Sequence, residues 1–376
     1  MKESNSKSKQ QPQNWSDFRF TAEEAAGAVG DFGTLFPIII GVAVVTGLDL
    51  GPILLFMGLA YLATGLYYRL PMPVEPMKSI GAVAIAGELS AGEIRSAGIM
   101  MGIILLALGF GGWISILREK IPGWLIRGIQ LGLAAILLQQ SLAFILSDPV
   151  LGTISALIIV GFTFLPILDI SSLVVLGIGI IIGFRTLGGI PLHIISLSPP
   201  ALPGLETFLP GLIRGTFPQL PLTVGNAVLA TSLMITDLFN KNVAEEKLVK
   251  SMGAFCLLFV PLGGFPMCHG AGGLAAQYRF GARTGGSNLI SGTILLIMGI
   301  FFASPRLIEF FPYGVLGALL VFSALQLARS GKQTDRPVLS LLTAGLALLA
   351  DIGIAFLVMA AISAIYGFYK KQIKTW

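Results

Sequence analysis

The chain has 376 residues, 55% hydrophobic and 11% charged, with a mean hydropathy of +0.86 and a formal net charge of +5. Soluble domains carry about a quarter charged residues, so this composition excludes a water-soluble enzyme and points to a polytopic membrane protein. The basic residues lie scattered over short polar stretches and form no stripe, which excludes nucleic acid as a partner.

Residues 1–20 are polar, lack the apolar run of a signal peptide and read as a cytoplasmic tail. Measured against the roughly 20 residues that cross a bilayer, seven apolar segments follow at 25–46, 51–68, 73–88, 94–116, 122–141, 149–166 and 171–186. A Pro- and Gly-rich connecting stretch, 188–220, leads to seven more at 221–239, 247–263, 267–280, 285–303, 306–326, 337–350 and 352–369. The predicted fold is therefore all-α with about 14 transmembrane segments. With the amino terminus placed in the cytoplasm, 19 of the 24 Lys and Arg fall on the cytoplasmic side, four fall outside, and Lys78 lies within segment 3. That asymmetry supports an even number of spans, both termini in the cytoplasm and a plasma-membrane type of topology.

Segments 3 and 10 are short and rich in helix breakers. The first opens Leu70-Pro71-Met72-Pro73-Val74-Glu75-Pro76-Met77-Lys78-Ser79, the second Gly264-Phe265-Pro266-Met267-Cys268-His269 before Gly270-Ala271-Gly272-Gly273. Both are third in their half, so 21–187 and 221–370 read as two repeats. Seven being odd, the second repeat is inverted relative to the first. Paired interrupted segments at matching positions point to a transporter binding site. Proline suits a first helical turn but not a helix interior, so each segment is expected to be extended at first. The helices would then begin near Glu75 and Gly270. Two helix amino termini would face one cavity, each with unpaired N–H groups and about half a positive charge. That is an anion site, strengthened by Lys78 and opened to close approach by the glycines Gly270, Gly272 and Gly273.

Other candidates lie nearby. Asp31, within Gly27-Ala28-Val29-Gly30-Asp31-Phe32-Gly33-Thr34, sits inside an apolar run and is a candidate proton carrier, as are Glu75 and His269. Asn226 and Thr231 of segment 8 could donate to an oxyanion. Asp237 reads as a cap beside Lys241, Asp351 as a turn residue, and Arg279 and Arg283 as topology determinants or a gate. GxxxG pairs at Gly98/Gly102, Gly128/Gly132 and Gly179/Gly183 read as helix-packing seams. Cys256 and Cys268 fit no CxxC or zinc spacing, so no disulfide, metal site or cofactor is expected. The chain has no phosphate-binding GxxxxGK[ST], HExxH or GxSxG motif.

The runs Gly30-Asp31-Phe32-Gly33-Thr34, Pro76-Met77-Lys78-Ser79-Ile80, Pro221-Leu222-Thr223 through Asn226, and Cys268-His269-Gly270-Ala271-Gly272-Gly273-Leu274 through Gln277-Tyr278-Arg279-Phe280-Gly281-Ala282-Arg283 resemble the molybdate-transporter family, relatives of the SulP sulfate permeases. The resemblance implies a seven-plus-seven inverted repeat. Its core domain would comprise segments 1–4 and 8–11, and its gate domain segments 5–7 and 12–14. It implies molybdate or sulfate as substrate, bound at Pro76, Met77, Lys78, Ser79, Thr34, Asn226, Cys268, His269, Gly270, Ala271 and Gly272. It further implies a homodimer through the gate domain and, unlike most SulP permeases, no STAS domain after the last span. Proton-coupled transport is the expected activity, with sulfate transport or an anion channel as alternatives.

Overall fold

In a bilayer core every backbone N–H and C=O has to find a partner within the protein, so a chain this apolar is expected to coil into helices. The computed structural model describes residues 18–165, 169–188, 202–302 and 311–374 together with scattered positions between 192 and 199, and it is helical over most of that length. The first half contains α1 (Ala22–Val29), α2 (Phe32–Thr46), α3 (Leu50–Tyr68), the two-residue strand β1 (Glu75–Pro76) and α4 (Lys78–Ile85). It continues with α5 (Ala91–Gly111), α6 (Ile114–Lys120), α7 (Gly123–Ser147), α8 (Pro149–Phe162) and α9 (Ser171–Leu187). The second half contains α10 (Leu205–Phe239), α11 (Glu245–Phe259), β2 (Met267–Cys268), α12 (Ala271–Arg279), α13 (Gly286–Phe301), α14 (Tyr313–Gly331), α15 (Pro337–Leu349) and α16 (Ile352–Lys374). Among the described residues six stretches, 22–46 and α3, α5, α7, α10 and α14, are long and apolar enough to cross a membrane, and five further apolar helices have 10–17 residues.

Three boundaries differ from the sequence reading. Segment 1 is broken at Gly30-Asp31 into α1 and α2. Segment 3 becomes helical at Lys78, three residues after Glu75, because Pro76 pairs in a strand first. Segment 8 starts at Leu205, so the connecting stretch 188–220 is corrected: its last sixteen residues are helix. Pro210, Pro218 and Pro221 suggest a loop there, since a proline inside a helix removes a hydrogen bond and crowds the preceding turn. Here the helix widens into π-type turns at Gly211–Thr216 and Thr223–Ala230, which gives the proline rings room and keeps the chain helical.

Packing divides the helices into two sets. α3 lies along α13, and α5 along α11 and the start of α10. α14 lies along α7 and α8, and α15 along α7. Glycines form the seams. A side chain at Gly58 would lie 2.9 Å from both Gly292 O and Leu296 N of α13. Gly102 faces Leu257 and Cys256 of α11, Gly128 and Gly132 face α15, and Gly179 faces Val315 of α14, so the expected GxxxG seams are packing surfaces. At the α8–α14 crossing a Cβ on Gly314 would lie 2.5 Å from Gly152 N and 2.7 Å from Asp148 O.

Backbone atoms cannot move aside as a flexible side chain can, so Gly314→Ala should destabilise the fold by about 1–3 kcal/mol. Gly161→Ala, also on α8 but with nothing within 4 Å of the new methyl, should be neutral or mildly stabilising. Melting temperatures of both variants in one detergent check the contrast.

Candidate functional site

Prolines make both leads extended. Pro71, Pro73 and Pro76 punctuate the first and Pro266 the second, and each disfavours helix in the residue before it. The leads pair antiparallel, Glu75 opposite Cys268 and Pro76 opposite Met267, with Met77 N donating to Pro266 O at 2.8 Å. Residues 71–77 and 265–271 are all buried, so this bridge satisfies backbone groups far from water. α4 and α12 start immediately beyond it, behind Met77 and Gly270, neither of which offers a capping side chain.

Three charged side chains converge on the first turn of α12. A side chain at Gly270 would collide with Glu75 Oε2, and one at Gly273 would lie 2.7 Å from Asp31 Oδ2. One at Gly272 would lie 3.7 Å from Lys78 Nζ. Lys78 Nζ contacts Glu75 Oε1 at 3.1 Å, with the carboxylate 1% and the lysine 14% exposed. Asp31 is fully buried in the α1–α2 break, where Tyr61 of α3 offers its hydroxyl at 3.5 Å to Oδ2. Among the described residues no partner reaches Asp31 Oδ1 or Glu75 Oε2.

A cavity of about 410 Å³ opens onto this turn. Thr34, Lys78, Asn226, Ala271 and Gly272 line it, as the sequence led one to expect. The cavity extends past Gln130, Ser323 and Gln326 to Arg127, Arg279 and Arg329, ending at Ser330 and Gln333. Arg279, read from sequence as a topology determinant or a gate, is thus a wall of the cavity. The other expected site residues, Pro76, Met77, Ser79, Cys268, His269 and Gly270, are buried behind the lining.

His269 is a tie between the two leads. Pro73 O, a carbonyl that can only accept, lies 2.8 Å from Nδ1, which fixes the proton there. Nε2 then accepts from Ser251 Oγ at 2.8 Å, and Tyr68 donates to that same hydroxyl oxygen. Thr231, expected to be a donor to substrate, gives its hydroxyl to His269 O at 2.7 Å. Asn288 of α13 holds the first lead from below, donating to Met72 O and Thr64 Oγ1. Gln219 of α10 accepts from Ser79 N at 2.8 Å. Sequence reasoning missed Tyr61, Asn288 and Gln219. Tyr61 and Gln219 are single polar residues in apolar surroundings, the one signal that marks them.

At the opposite end of the molecule lies a second hollow of about 460 Å³, lined by Glu88, Leu209, Ile213, Arg214, Asp351 and Ile354 among others. It shares no lining residue with the first. Asp351 is more than a turn residue there. Its Oδ1 accepts from Gly353 N and Ile354 N, and its Oδ2 meets Arg214 Nε at 3.5 Å.

A family model described as a molybdate transporter of the MFS superfamily matches residues 23–137 and 211–327. Molybdate transporter 2 of Arabidopsis thaliana is 33% identical, over 84% of this chain and 80% of its own. The chain belongs to the molybdate-transporter family. Molybdate transporter 1 of the same plant is 32% identical, over 85% of this chain and 81% of its own. Molybdate transporter 1 of Chlamydomonas reinhardtii is 27% identical, over 95% and 94%. Among solved structures, the transmembrane domain of a cyanobacterial bicarbonate transporter, BicA, has a similar fold. Its TM-score is 0.64 at 18% identity, covering 91% of this chain and 97% of that one. SLC26A9 gives 0.68 at 14% identity, covering 93% and 65%. The chain thus shares the fold of these neighbours, and it is an integral, multi-pass membrane protein of the transporter class.

Losing one partner of a buried ion pair destabilises by about 3–5 kcal/mol, because the other charge stays buried alone. Lys78→Met should therefore lower the melting temperature, and adding Glu75→Gln should restore more than half of the loss. Simple additivity in that double-mutant cycle would show the two groups to be uncoupled.

Proposed function

We propose that the chain is a secondary active transporter of a tetrahedral oxyanion, molybdate foremost, moved together with protons by alternating access. The observation that carries this reading is the first turn of α12. Its amides at Ala271, Gly272 and Gly273 meet no protein acceptor among the described residues, and Gly272 is exposed to the cavity beside Lys78. Unpaired N–H groups at a helix start, with the helix dipole behind them, suit an oxyanion. The relatives from Arabidopsis and Chlamydomonas are named for molybdate, which supports that substrate over sulfate.

The two carboxylates supply the argument for coupling. A dianion on the α12 turn lies beside Asp31 and Glu75, and Lys78 offsets one unit of that charge. A proton arriving with the anion and settling on a carboxylate removes the like-charge repulsion. Asp31 and Glu75 are the carriers in this reading. His269 is not, since both its ring nitrogens are engaged.

The packing pairs support a two-fold relation between halves of seven segments. α3 on α13 joins segments 2 and 11, and α5 on α11 joins segments 4 and 9, which are exchanged equivalents. α15 on α7 and α14 on α8 are related in the same way. The core would then hold α1–α5 and α10–α13, and the gate α7–α9 and α14–α16. Two separate hollows entering from opposite ends fit a site offered to one side at a time. The distribution of basic residues supports a cytoplasmic location for both termini and for the Arg127–Arg329 mouth. A homodimer through the gate set belongs to the same reading. The MFS label in the family description implies halves related by an axis along the membrane normal. Seven segments in each half, an odd number, favour the inverted arrangement.

Labelled molybdate uptake into proteoliposomes tests the reading. We expect saturable uptake that an imposed inward proton gradient accelerates, and that unlabelled sulfate inhibits only at many-fold excess. Asp31→Asn should abolish the acceleration. Uptake indifferent to the gradient removes the coupling, equal competition by sulfate widens the substrate to oxyanions in general, and no uptake removes the substrate. Electrical currents far above carrier turnover would make the protein a channel.

A further inference from the structure

The two half-helices occupy matching places in the sequence, and both start without a capping side chain of their own. Their amino termini are nonetheless unequal. On α12 the first amides face the cavity. On α4 the amide of Ser79, the second residue of the helix, already donates to Gln219 Oε1 at 2.8 Å. The amide side chain of Gln219 has its orientation fixed twice. The Ser79 N–H can only donate, so the oxygen must face it, and the nitrogen donates in turn to Thr223 Oγ1 at 3.1 Å. Ser79 and Thr223 are fully buried and Gln219 is 2% exposed. Gln219 lies on α10 between the two π-type stretches, and neither the family resemblance nor the cavity lining brings it forward.

A helix amino terminus attracts a carboxylate as readily as any other anion. A Glu at position 219 would match the shape of the side chain and accept from Ser79 N equally well. The charge would differ. It would stand at the start of the helix whose first residue, Lys78, already pairs with Glu75.

Resting on the transport reading above, we infer that Gln219 is a specificity-determining residue: an internal cap, required to be neutral, that occupies the α4 terminus and reserves Lys78 and the α12 amides for the transported oxyanion. α4 then contributes a lysine to the substrate and α12 contributes backbone, and the site holds one dianion rather than one at each terminus.

Two variants separate charge from architecture. Gln219→Glu keeps the acceptor and adds the charge. Gln219→Met keeps the bulk and removes the acceptor, leaving Ser79 N–H unsatisfied. For labelled molybdate uptake by the full-length protein in proteoliposomes, Gln219→Glu should raise KM at least tenfold with Vmax close to native. Its defect should shrink as the pH is lowered and the new carboxylate takes up a proton. Gln219→Met should lower the melting temperature while KM stays within threefold of native. A Gln219→Glu KM within twofold of native overturns the inference, as does a Gln219→Met KM raised as much as that of Gln219→Glu, which would make the role purely architectural. A native protein that transports no oxyanion overturns the transport reading and this inference with it. Native transport with an unchanged Gln219→Glu overturns only the role of Gln219.

Discussion

The antiparallel pairing of Glu75-Pro76 with Met267-Cys268 is the contact on which the rest depends. A helix that starts in the middle of a membrane protein leaves extended backbone on one side and unpaired amides on the other. Both cost several kcal/mol per group if left in hydrocarbon. Pairing the two leads with each other settles the first cost for both at once. The prolines force the extension, the bridge absorbs it, and His269, Thr231 and Asn288 tie the bridge to the helices around it. At the start of α12 the first amides stay unpaired, and that turn opens on a cavity.

The charges follow from that geometry. Asp31, Glu75 and Lys78 come from a broken helix, a strand and a helix start, yet one turn of glycine backbone brings all three within contact. Any Cβ at Gly270 or Gly273 would displace a carboxylate. The small residues of that turn are therefore needed twice, for the approach of a ligand on the cavity side and for the approach of two acids on the other. Buried charges are tolerated when paired. Here two acids lie at one turn and only Glu75 pairs with the lysine, so the negative charge is not fully balanced.

Much of this was legible in the sequence because it is written in hydrophobicity and proline, which act locally. The helices, the two half-helices and their extended leads, Lys78, Gly272 and Asp31 all follow from residues read a few positions at a time. What was missed depends on distant pairing. His269 looks like a ligand until Pro73 O and Ser251 take both its nitrogens. The stretch 205–220 looks like a loop because two prolines within it and a third at 221 suggest one, and π-type turns are invisible to a periodicity of 3.6. Gln219 fell inside that misread stretch, so its bond to Ser79 could not be anticipated.

The glycine seams bear on the mechanics of the molecule. Where Gly58 rests on Gly292 and Gly152 on Gly314, backbone meets backbone with no rotatable side chain between. Such a joint has no soft degree of freedom. Sliding it by one residue would drive a Cβ into a carbonyl, so each seam behaves as a weld. The seams join α3 to α13 and α8 to α14, within each set of helices rather than between them. Across the boundary between the sets a glycine joint of the same kind holds α16 to α10, Gly353 against the Ile213 carbonyl, so that point too is rigid.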